Sequence, residues 1–181
     1  MKDENFLYYI IKYIYILIRK NFYSINWYES DTKIKTNKKN NYKKSKIKLI
    51  IIKSKNDINK FSLNNYFEKY KFKLDRLGNK INFLVLVDNK KELLSSGWIF
   101  FGKKWNISKI QKKILLKKQY LLFDFETPLQ LRKKGYYTLL LKLIRDKYKK
   151  RILAIYSGSN NSSSNKAIKK SGFKFVRKIY G

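Results

Sequence analysis

The amino-acid sequence predicts an α/β (α+β) fold, in which a mixed, mostly antiparallel sheet is flanked by helices on both faces. Two observations predict it. Short apolar runs typical of strands recur from residue 47 to the end, and segments with helical spacing separate several of them. The predicted order is strand, helix, three strands, helix, strand, helix and strand. Strands that meet helices in this order form a mixed sheet, and we expect both of its faces to be covered.

The first 45 residues are predicted to form a basic extension ahead of a domain at 46–181. Residues 6–18 contain one charged residue, Lys12, and their aliphatic side chains share one helical face. The segment is too short and too rich in tyrosine for a spanning helix. We favour a helix packed on the domain, and the alternative is peripheral association of residues 6–20 with an anionic membrane. Residues 33–48 hold eight lysines and no acid, which indicates a solvated linker.

Local signals place the elements of the domain. Asn56 or Asp57 is the predicted cap of its first helix, a turn at 88–92 forms a hairpin, and Pro128 ends the fourth strand. The predicted strands span 47–52, 81–87, 93–102, 120–127, 151–157 and 173–180. The predicted helices span 58–72, the segment from the turn at Gly135 to about residue 148, and 162–170.

The composition excludes several chemistries. The formal charge is +32, but most basic residues are lysines, and abundant Lys, Ile, Asn and Tyr are typical of an A/T-rich coding sequence. We therefore assign much of the charge to solvated surface and do not expect a nucleic-acid partner, although such a surface attracts polyanions and anionic lipid. The absence of Cys and His excludes a thiol nucleophile, a Ser-His-Asp triad and a Cys/His zinc site, and we expect no metal.

The stretch RKKGYYTLLLKLI, residues 132–144, places Gly135 directly before a helical pattern. A helix that begins after such a turn presents unpaired backbone N–H groups and the positive end of its dipole, which favour an anion. Arg132, Lys133 and Lys134 add positive charge beside it. The sequence has neither a GxxxxGK[ST] loop nor a GxGxxG fingerprint, so nucleotide sites of those two kinds are not expected. An ordinary turn is the alternative.

The strand LLFDFET followed by this glycine stretch resembles the central motif of the GCN5-related N-acetyltransferase (GNAT) superfamily, Arg/Gln-x-x-Gly-x-Gly/Ala. The resemblance implies that the loop amides bind the pyrophosphate of acetyl-coenzyme A. The implied cofactor-binding residues here are Phe125, Thr127, Arg132, Lys133, Lys134, Gly135, Tyr136, Tyr137 and Thr138.

A second stretch, NSSSNKAIKKSGF at 161–173, is similar to a later motif of the same family, Asn-x-x-Ser/Ala before a helix that ends in Lys-x-Gly-Phe. The resemblance implies that Asn161 and Ser164 contact the coenzyme. Their residue types suit a helix cap equally well, and Gly172 could simply end the helix. The two motifs together imply a GNAT-like domain from residue 46 onward.

Two positions depart from the family pattern. Tyr137 stands where the loop motif has Gly or Ala, and the sequence GYY resembles the surface-polysaccharide and sugar-modifying branch. Ile168 stands where the family often has the tyrosine that acts as general acid. Tyr156 or Tyr180 could replace that tyrosine if the fold brings either one to the site.

Candidate catalytic carboxylates lie on the fourth strand. Asp124 and Glu126 interrupt an apolar run in a chain with only 12 acids, so buried carboxylates there are candidates for the base, with Glu126 preferred. Strand alternation places them opposite Phe123 and Phe125. The alternative is a strand-end acid paired with a lysine.

The acceptor is predicted from aromatic residues near the third strand. Trp98, Phe100 and Trp105, with Phe101, are candidates for stacking on a sugar, although an aromatic run on a strand is more often core. The resemblance implies direct acetyl transfer to an amine or hydroxyl, and we expect a small-molecule or sugar-linked acceptor from surface-polysaccharide biosynthesis. The alternatives are a protein or peptide N-acetyltransferase and a non-catalytic protein of the same fold that binds membrane or nucleic acid. We expect a cytoplasmic location, including the inner face of the membrane. The sequence leaves open whether the chain forms a homodimer.

Overall fold

The computed structural model describes residues 6–14, 23–31, 47–60 and 71–181. Residues 6–14 form helix α1. Three short 3-10 helices span Lys71–Arg76, Ser108–Ile110 and Leu129–Leu131. The remaining elements, in chain order, are β1 (Ser24–Ser30), β2 (Lys48–Ile52), α2 (Lys55–Lys60), β3 (Ile81–Val87), β4 (Leu93–Phe100), β5 (Lys104–Ile107), β6 (Lys112–Leu115), β7 (Tyr120–Glu126), α3 (Tyr136–Lys147), β8 (Leu153–Gly158), α4 (Ser162–Lys170) and β9 (Phe173–Tyr180).

Seven of these strands form one mixed sheet in the order β2-β3-β4-β7-β8-β1-β9. Neighbouring strands run antiparallel except β7 and β8, which are parallel. Strands β5 and β6 form a separate hairpin. The predicted fold class, a mostly antiparallel sheet with helices on both faces, is confirmed.

The sheet separates two clusters of buried side chains. On one face, Leu140, Leu141 and Ile144 of α3 and Ile168 of α4 pack against residues such as Leu122. On the other face, the α2 segment, the 3-10 helix Lys71–Arg76 and the β5–β6 hairpin cover an aromatic cluster. Covering both faces explains why the central strands are apolar runs without alternation.

Strand β1 differs from the sequence prediction. The segment SINWYES, residues 24–30, lies inside the sheet between β8 and β9, and Ile25, Trp27 and Tyr28 are buried there. The predicted boundary at residue 45 therefore needs correction, because this strand of the extension is part of the domain's sheet. Of the predicted linker at 33–48, residues 33–46 lie outside the described residues, and Lys48 begins β2.

Other predicted elements are shifted or were missed. The helix predicted at 58–72 is found as α2, Lys55–Lys60, and the 3-10 helix Lys71–Arg76, and residues 61–70 lie outside the described part. Asp57 lies in the first turn of α2, where its Oδ2 accepts hydrogen bonds from the backbone N–H groups of Lys53 and Ser54. The β5–β6 hairpin was not predicted.

Helix α1 also differs from expectation. We favoured a helix packed on the domain, but each of its apolar side chains is exposed, with Phe6 at 69% and Ile11 at 58%. Residues 15–18 of the predicted helix lie outside the described residues. None of the helices in the described ranges is long and apolar enough to cross a membrane.

Gly172, between α4 and β9, is required by backbone conformation and by a close neighbour. Its φ is +87°, in the left-handed region that favours glycine. A Cβ at this position would overlap the guanidinium of Arg145, whose Nη1 donates a hydrogen bond to the carbonyl of Ser171. This contact joins α3 to the turn that begins β9.

We expect Gly172→Ala to lower the free energy of unfolding by at least about 1–2 kcal/mol, because a side chain in the left-handed region is strained and Arg145 must move. Urea denaturation measures the change. Gly78→Ala is the matched control, since its Cβ would meet nothing within 4 Å and its φ is not in that region. That control should shift stability by no more than about 1 kcal/mol. Equal effects of the two substitutions would contradict the explanation.

Candidate active site

Strand β7 contains a bulge at Asp124. Asp124 has a φ of 51°, and the pairing with β4 shifts from Trp98–Phe123 to Ser96–Glu126 across it. The extra residue breaks the alternation of side chains. Since Trp98 and Ser96 share a face of β4, Phe123 and Glu126 share one too. The prediction that Phe123 lies opposite to Glu126 is therefore wrong, whereas Phe125 packs on the opposite face, beside Tyr137.

Strands β7 and β8 part just before this bulge. Their parallel ladder ends at the pair Leu122–Ile155. Beyond it, β7 stays paired with β4 and β8 with β1. The parted ends border a cavity of about 1330 Å³, which reaches from the first turns of α3 and α4 to Tyr23, Arg76 and Trp105 on the other side. One continuous cavity thus crosses the sheet where the two strands separate.

The amino end of α3 lies in the wall of this cavity. Gly135 precedes the helix with a φ of 84°, and the amide of Leu139 makes the first helical hydrogen bond, to the Gly135 carbonyl at 2.9 Å. No side chain caps this end. The amides of Tyr136, Tyr137 and Thr138 come before that first bond, so they are available to a ligand.

The loop before α3 folds back onto the end of β7. Arg132 donates from Nε to the carbonyl of Thr127 at 3.2 Å, and the Thr127 hydroxyl is 2.9 Å from the hydroxyl of Ser95. Lys133, with a φ of 62°, and Arg132 both line the cavity, whereas Lys134 is exposed beside it. The structure therefore brings nearly all of the sequence-predicted cofactor residues to one wall.

Tyr137 connects the two helices that flank the parted strands. Its ring lies 5.3 Å from that of Phe125, and its hydroxyl is 3.4 Å from Ser164 Oγ on α4. Burial raises the pKa of Tyr137 to about 12, although the hydrogen bond with Ser164 lowers it somewhat. The phenol is therefore protonated at neutral pH.

Asn161 caps α4. Its Oδ1 accepts hydrogen bonds from the backbone N–H of Ser164 and from the hydroxyl of Ser163, both at 3.1 Å. This is the capping alternative left open by the sequence. Asn161 and Ser164 also line the cavity, so capping does not remove them from the site.

Asn165 is a positioning residue that the sequence analysis missed. Its Nδ2 donates to the carbonyls of Gly158 and Ser159, and its Oδ1 accepts from the hydroxyl of Tyr28 at 2.9 Å. These bonds fix the end of β8 relative to α4 and β1. A lone asparagine in a helical segment gives no sequence signal for this role.

Among the tyrosines considered as general acid, the structure brings Tyr156 to the cavity. It follows Ile155, the last β8 residue paired with β7, and its hydroxyl is 3.4 Å from Trp105 Nε1. Burial raises the pKa of Tyr156 above its ordinary value of 10, which keeps it a proton donor. Tyr180 is 56% exposed on β9 and does not line the cavity. Ile168 is fully buried in the core.

The candidate base residues are ion-paired. Asp124 Oδ2 lies 2.7 Å from Arg76 Nη1 and 3.6 Å from Lys73 Nζ, and Glu126 Oε2 lies 3.6 Å from the same Lys73 nitrogen. Their side chains are 39% and 36% exposed, so the expectation of buried carboxylates is wrong. Both carboxylates do line the cavity. Of the two, Asp124 is held more closely, by two cations.

The predicted substrate aromatics divide between core and cavity. Trp98 and Phe100 are buried at 1% and 9% exposure and do not line the cavity, so we correct both to core residues. Trp105 lines it, together with Tyr23, which carries Lys109 Nζ 5.9 Å above its ring. Tyr23 and Lys109 were missed, because neither stands in a recognisable motif.

We expect Tyr137→Phe to change how stability depends on pH. The folded pKa lies above the unfolded value of 10, so the contribution of the protonated phenol is complete below pH 10 and is lost as pH rises to about 12. Between pH 10 and pH 12 the free energy of unfolding of the wild type should fall by about 2 kcal/mol more than that of the variant. Urea denaturation across this range measures the difference.

Tyr13→Phe is the control for that measurement, since Tyr13 is 64% exposed. Its stability should follow the wild type at every pH. If the curves of Tyr137→Phe and wild type are parallel, Tyr137 is not desolvated as described.

The structure is similar in fold to several solved structures. A conserved protein of unknown function from Staphylococcus epidermidis has a TM-score of 0.50 and 12% identity, over 86% of this chain and 59% of that one. An acetyltransferase from the GNAT family of Colwellia psychrerythraea has a TM-score of 0.49 and 15% identity, over 85% and 53%. A protein from Novosphingobium aromaticivorans assigned to the GNAT family has a TM-score of 0.49 and 11% identity, over 86% and 61%.

The chain thus spans between about half and three fifths of the length of these proteins. No family model matches the chain, and the curated proteins contain no match to it. At such low identities, the similarity at a TM-score of 0.50 concerns the fold alone, and the two lower scores carry no conclusion about activity.

Proposed function

We propose that this chain is an acetyl-CoA-dependent acyltransferase of the GNAT superfamily that transfers an acetyl group directly to an amine or hydroxyl. The observation that carries the proposal is the cavity, which joins the open amino end of α3 to the parted ends of β7 and β8. Such a cavity suits a long ligand with an anionic end and a reactive end on opposite sides of a sheet.

The cofactor half of the cavity fits coenzyme A by its chemistry. The amides at the start of α3 and the positive end of its dipole suit the pyrophosphate, and Arg132, Lys133 and Lys170 supply charge around it. Acetyl-CoA would supply the acetyl group as an activated thioester. Asn161 and Ser164 would contact the coenzyme from the start of α4.

The backbone of β7 would position the arm of the coenzyme. After Leu122 the edge of β7 that faces β8 has no partner in their ladder. Peptide groups at such an edge bind the amides of an extended ligand as they would bind a strand. An N–H near the bulge would also stabilise negative charge on the thioester oxygen as the acceptor attacks.

Two side chains would move protons. Tyr156, whose pKa is raised by burial, would donate a proton to the leaving sulfur. Glu126, on the same wall, would accept the proton of the attacking amine or hydroxyl, directly or through water, and Lys73 would hold its carboxylate in place. The close pairing of Asp124 with Arg76 favours Glu126 for this role.

We propose a sugar-linked acceptor from surface-polysaccharide biosynthesis. Trp105 and Tyr23 line the cavity and would contact a sugar ring, and Lys109 beside Tyr23 would suit a phosphate that such a sugar carries. The GYY sequence at 135–137, which resembles the sugar-modifying branch, supports the same acceptor.

We expect Gly135→Asp to weaken acetyl-CoA binding at least about tenfold. A side chain at a φ of 84° is strained, so the free loop of the variant relaxes away from the binding conformation, and restoring that conformation on binding costs about 1–2 kcal/mol. Each 1.4 kcal/mol is a factor of ten in affinity. The new carboxylate also repels the pyrophosphate. Isothermal titration calorimetry with acetyl-CoA measures the affinity of wild type and variant.

Gly78→Asp is the matched control, because it adds the same charge at an exposed glycine outside the cavity. It should bind acetyl-CoA like the wild type. Failure of the wild type to bind acetyl-CoA would refute the proposal that the chain is an acetyl-CoA-dependent enzyme. If the protein instead binds polyanions or vesicles, and Gly135→Asp does not change that affinity, the non-catalytic alternative would be favoured.

We expect Tyr156→Phe to lower kcat about 10²-fold with little change in acetyl-CoA affinity, because the variant lacks the proton donor but keeps the ring. Release of the free thiol of coenzyme A reports turnover, and a chain without cysteine adds no background. Amino sugars, sugar phosphates and peptides are the acceptor panel. Turnover with peptides alone would overturn the sugar proposal, and an unchanged kcat would remove Tyr156 from the mechanism.

A further inference from the structure

Helix α1 exposes a large number of aliphatic and aromatic side chains. Eight of its nine residues are aliphatic or aromatic, from Phe6 to Ile14 with Lys12 as the exception, and those eight are between 38% and 69% exposed. A helix with this much apolar surface is ordinarily covered by other protein or by lipid. The exposed surface therefore indicates an occupant outside the described chain.

We propose that α1 docks onto the surface of a membrane that contains anionic phospholipid. Three occupants could cover such a helix, namely a second copy of the chain, another protein and a lipid surface. The charge of the chain argues against a second copy, and the charge together with the composition of α1 favours a lipid surface over another protein.

Each copy carries a formal charge of +32, so two copies repel one another as their surfaces approach. An anionic bilayer attracts the same charge. Lys12 lies within the helix, Arg19 and Lys20 follow it in the sequence, and residues 33–48 add eight lysines without an acid. Basic residues beside an apolar helix are the combination that binds anionic interfaces.

The composition of α1 suits the interface more than the bilayer interior. Phe6, Tyr8, Tyr9 and Tyr13 give it aromatic rings, three of them with a hydroxyl, and such rings favour the level of the lipid headgroups. At about 1.5 Å per residue the described helix is about 14 Å long, against about 30 Å of hydrocarbon. Helix α1 therefore lies in the interface, with its aliphatic residues toward the acyl chains.

The test is flotation of the full chain with vesicles of phosphatidylcholine alone or mixed with phosphatidylglycerol. We expect binding to the mixed vesicles, weakened by high salt, and at least tenfold weaker binding for Leu7→Glu combined with Ile11→Glu. The matched control is Leu115→Glu with Val176→Glu, which changes the charge equally at exposed apolar residues elsewhere. It should retain binding.

A second pair of variants removes apolar surface without adding charge, namely Leu7→Ser with Ile11→Ser and Leu115→Ser with Val176→Ser. Thermal unfolding and acetyl-CoA binding show whether each variant is folded, and neither readout depends on lipid. Equal loss of vesicle binding in α1 variants and controls would show that net charge alone binds lipid, and would overturn the proposal. The proposal would also be overturned if the wild type does not bind vesicles but forms a dimer, and if the substitutions in α1 dissociate that dimer.

Discussion

The parting of β7 from β8 is the constraint on which the candidate site depends. The parallel ladder between them ends at Leu122 and Ile155, just before Asp124 takes a left-handed conformation. A side chain in that conformation costs about 1–2 kcal/mol, and the ion pairs of Asp124 with Arg76 and Lys73 hold it in place. Because β7 keeps its pairing with β4 and β8 keeps its pairing with β1, both strands stay ordered while they separate. A continuous ladder would leave no cavity between them.

The separation of β7 from β8 gives one cavity access to both faces of the sheet, and the two faces carry different chemical groups. The face covered by α3 and α4 presents helix amino ends, which attract anions. The opposite face presents Glu126, Tyr156 and Trp105, which can exchange protons and contact an acceptor. A transfer reaction needs both sets of groups within reach of a single thioester, and a sheet whose ladder is intact keeps its two faces apart. In the proposed function, the bulge would therefore link the binding of a coenzyme to the chemistry of its acyl group.

The sequence predicted those elements whose structure depends mainly on neighbouring residues. The apolar runs of β3, β4 and β7 and the turn at Gly135 each follow from a few neighbouring residues. Strand β1 was missed because its only apolar or aromatic residues are Ile25, Trp27 and Tyr28, and because its partners β8 and β9 lie more than 120 residues away. The bulge was missed because aspartate, although it adopts the left-handed conformation more readily than most residues, is common in other conformations as well. Trp98 is core because both faces of its strand are covered, which no single strand reveals.

The departures at Tyr137 and Ile168 are physically related. Ile168 is fully buried beside α3, so a hydroxyl in its place would need a partner inside an apolar cluster. The phenols at the cavity instead come from α3, from β8 and from Tyr23 directly before β1. Tyr137 lies on the face covered by α3 and α4, where its hydroxyl contacts Ser164. Tyr156 lies on the opposite face, which also carries Glu126. In the proposed reaction both the acceptor proton and the leaving-group proton would be handled on one face of the sheet, while Tyr137 connects the two helices that would hold the coenzyme.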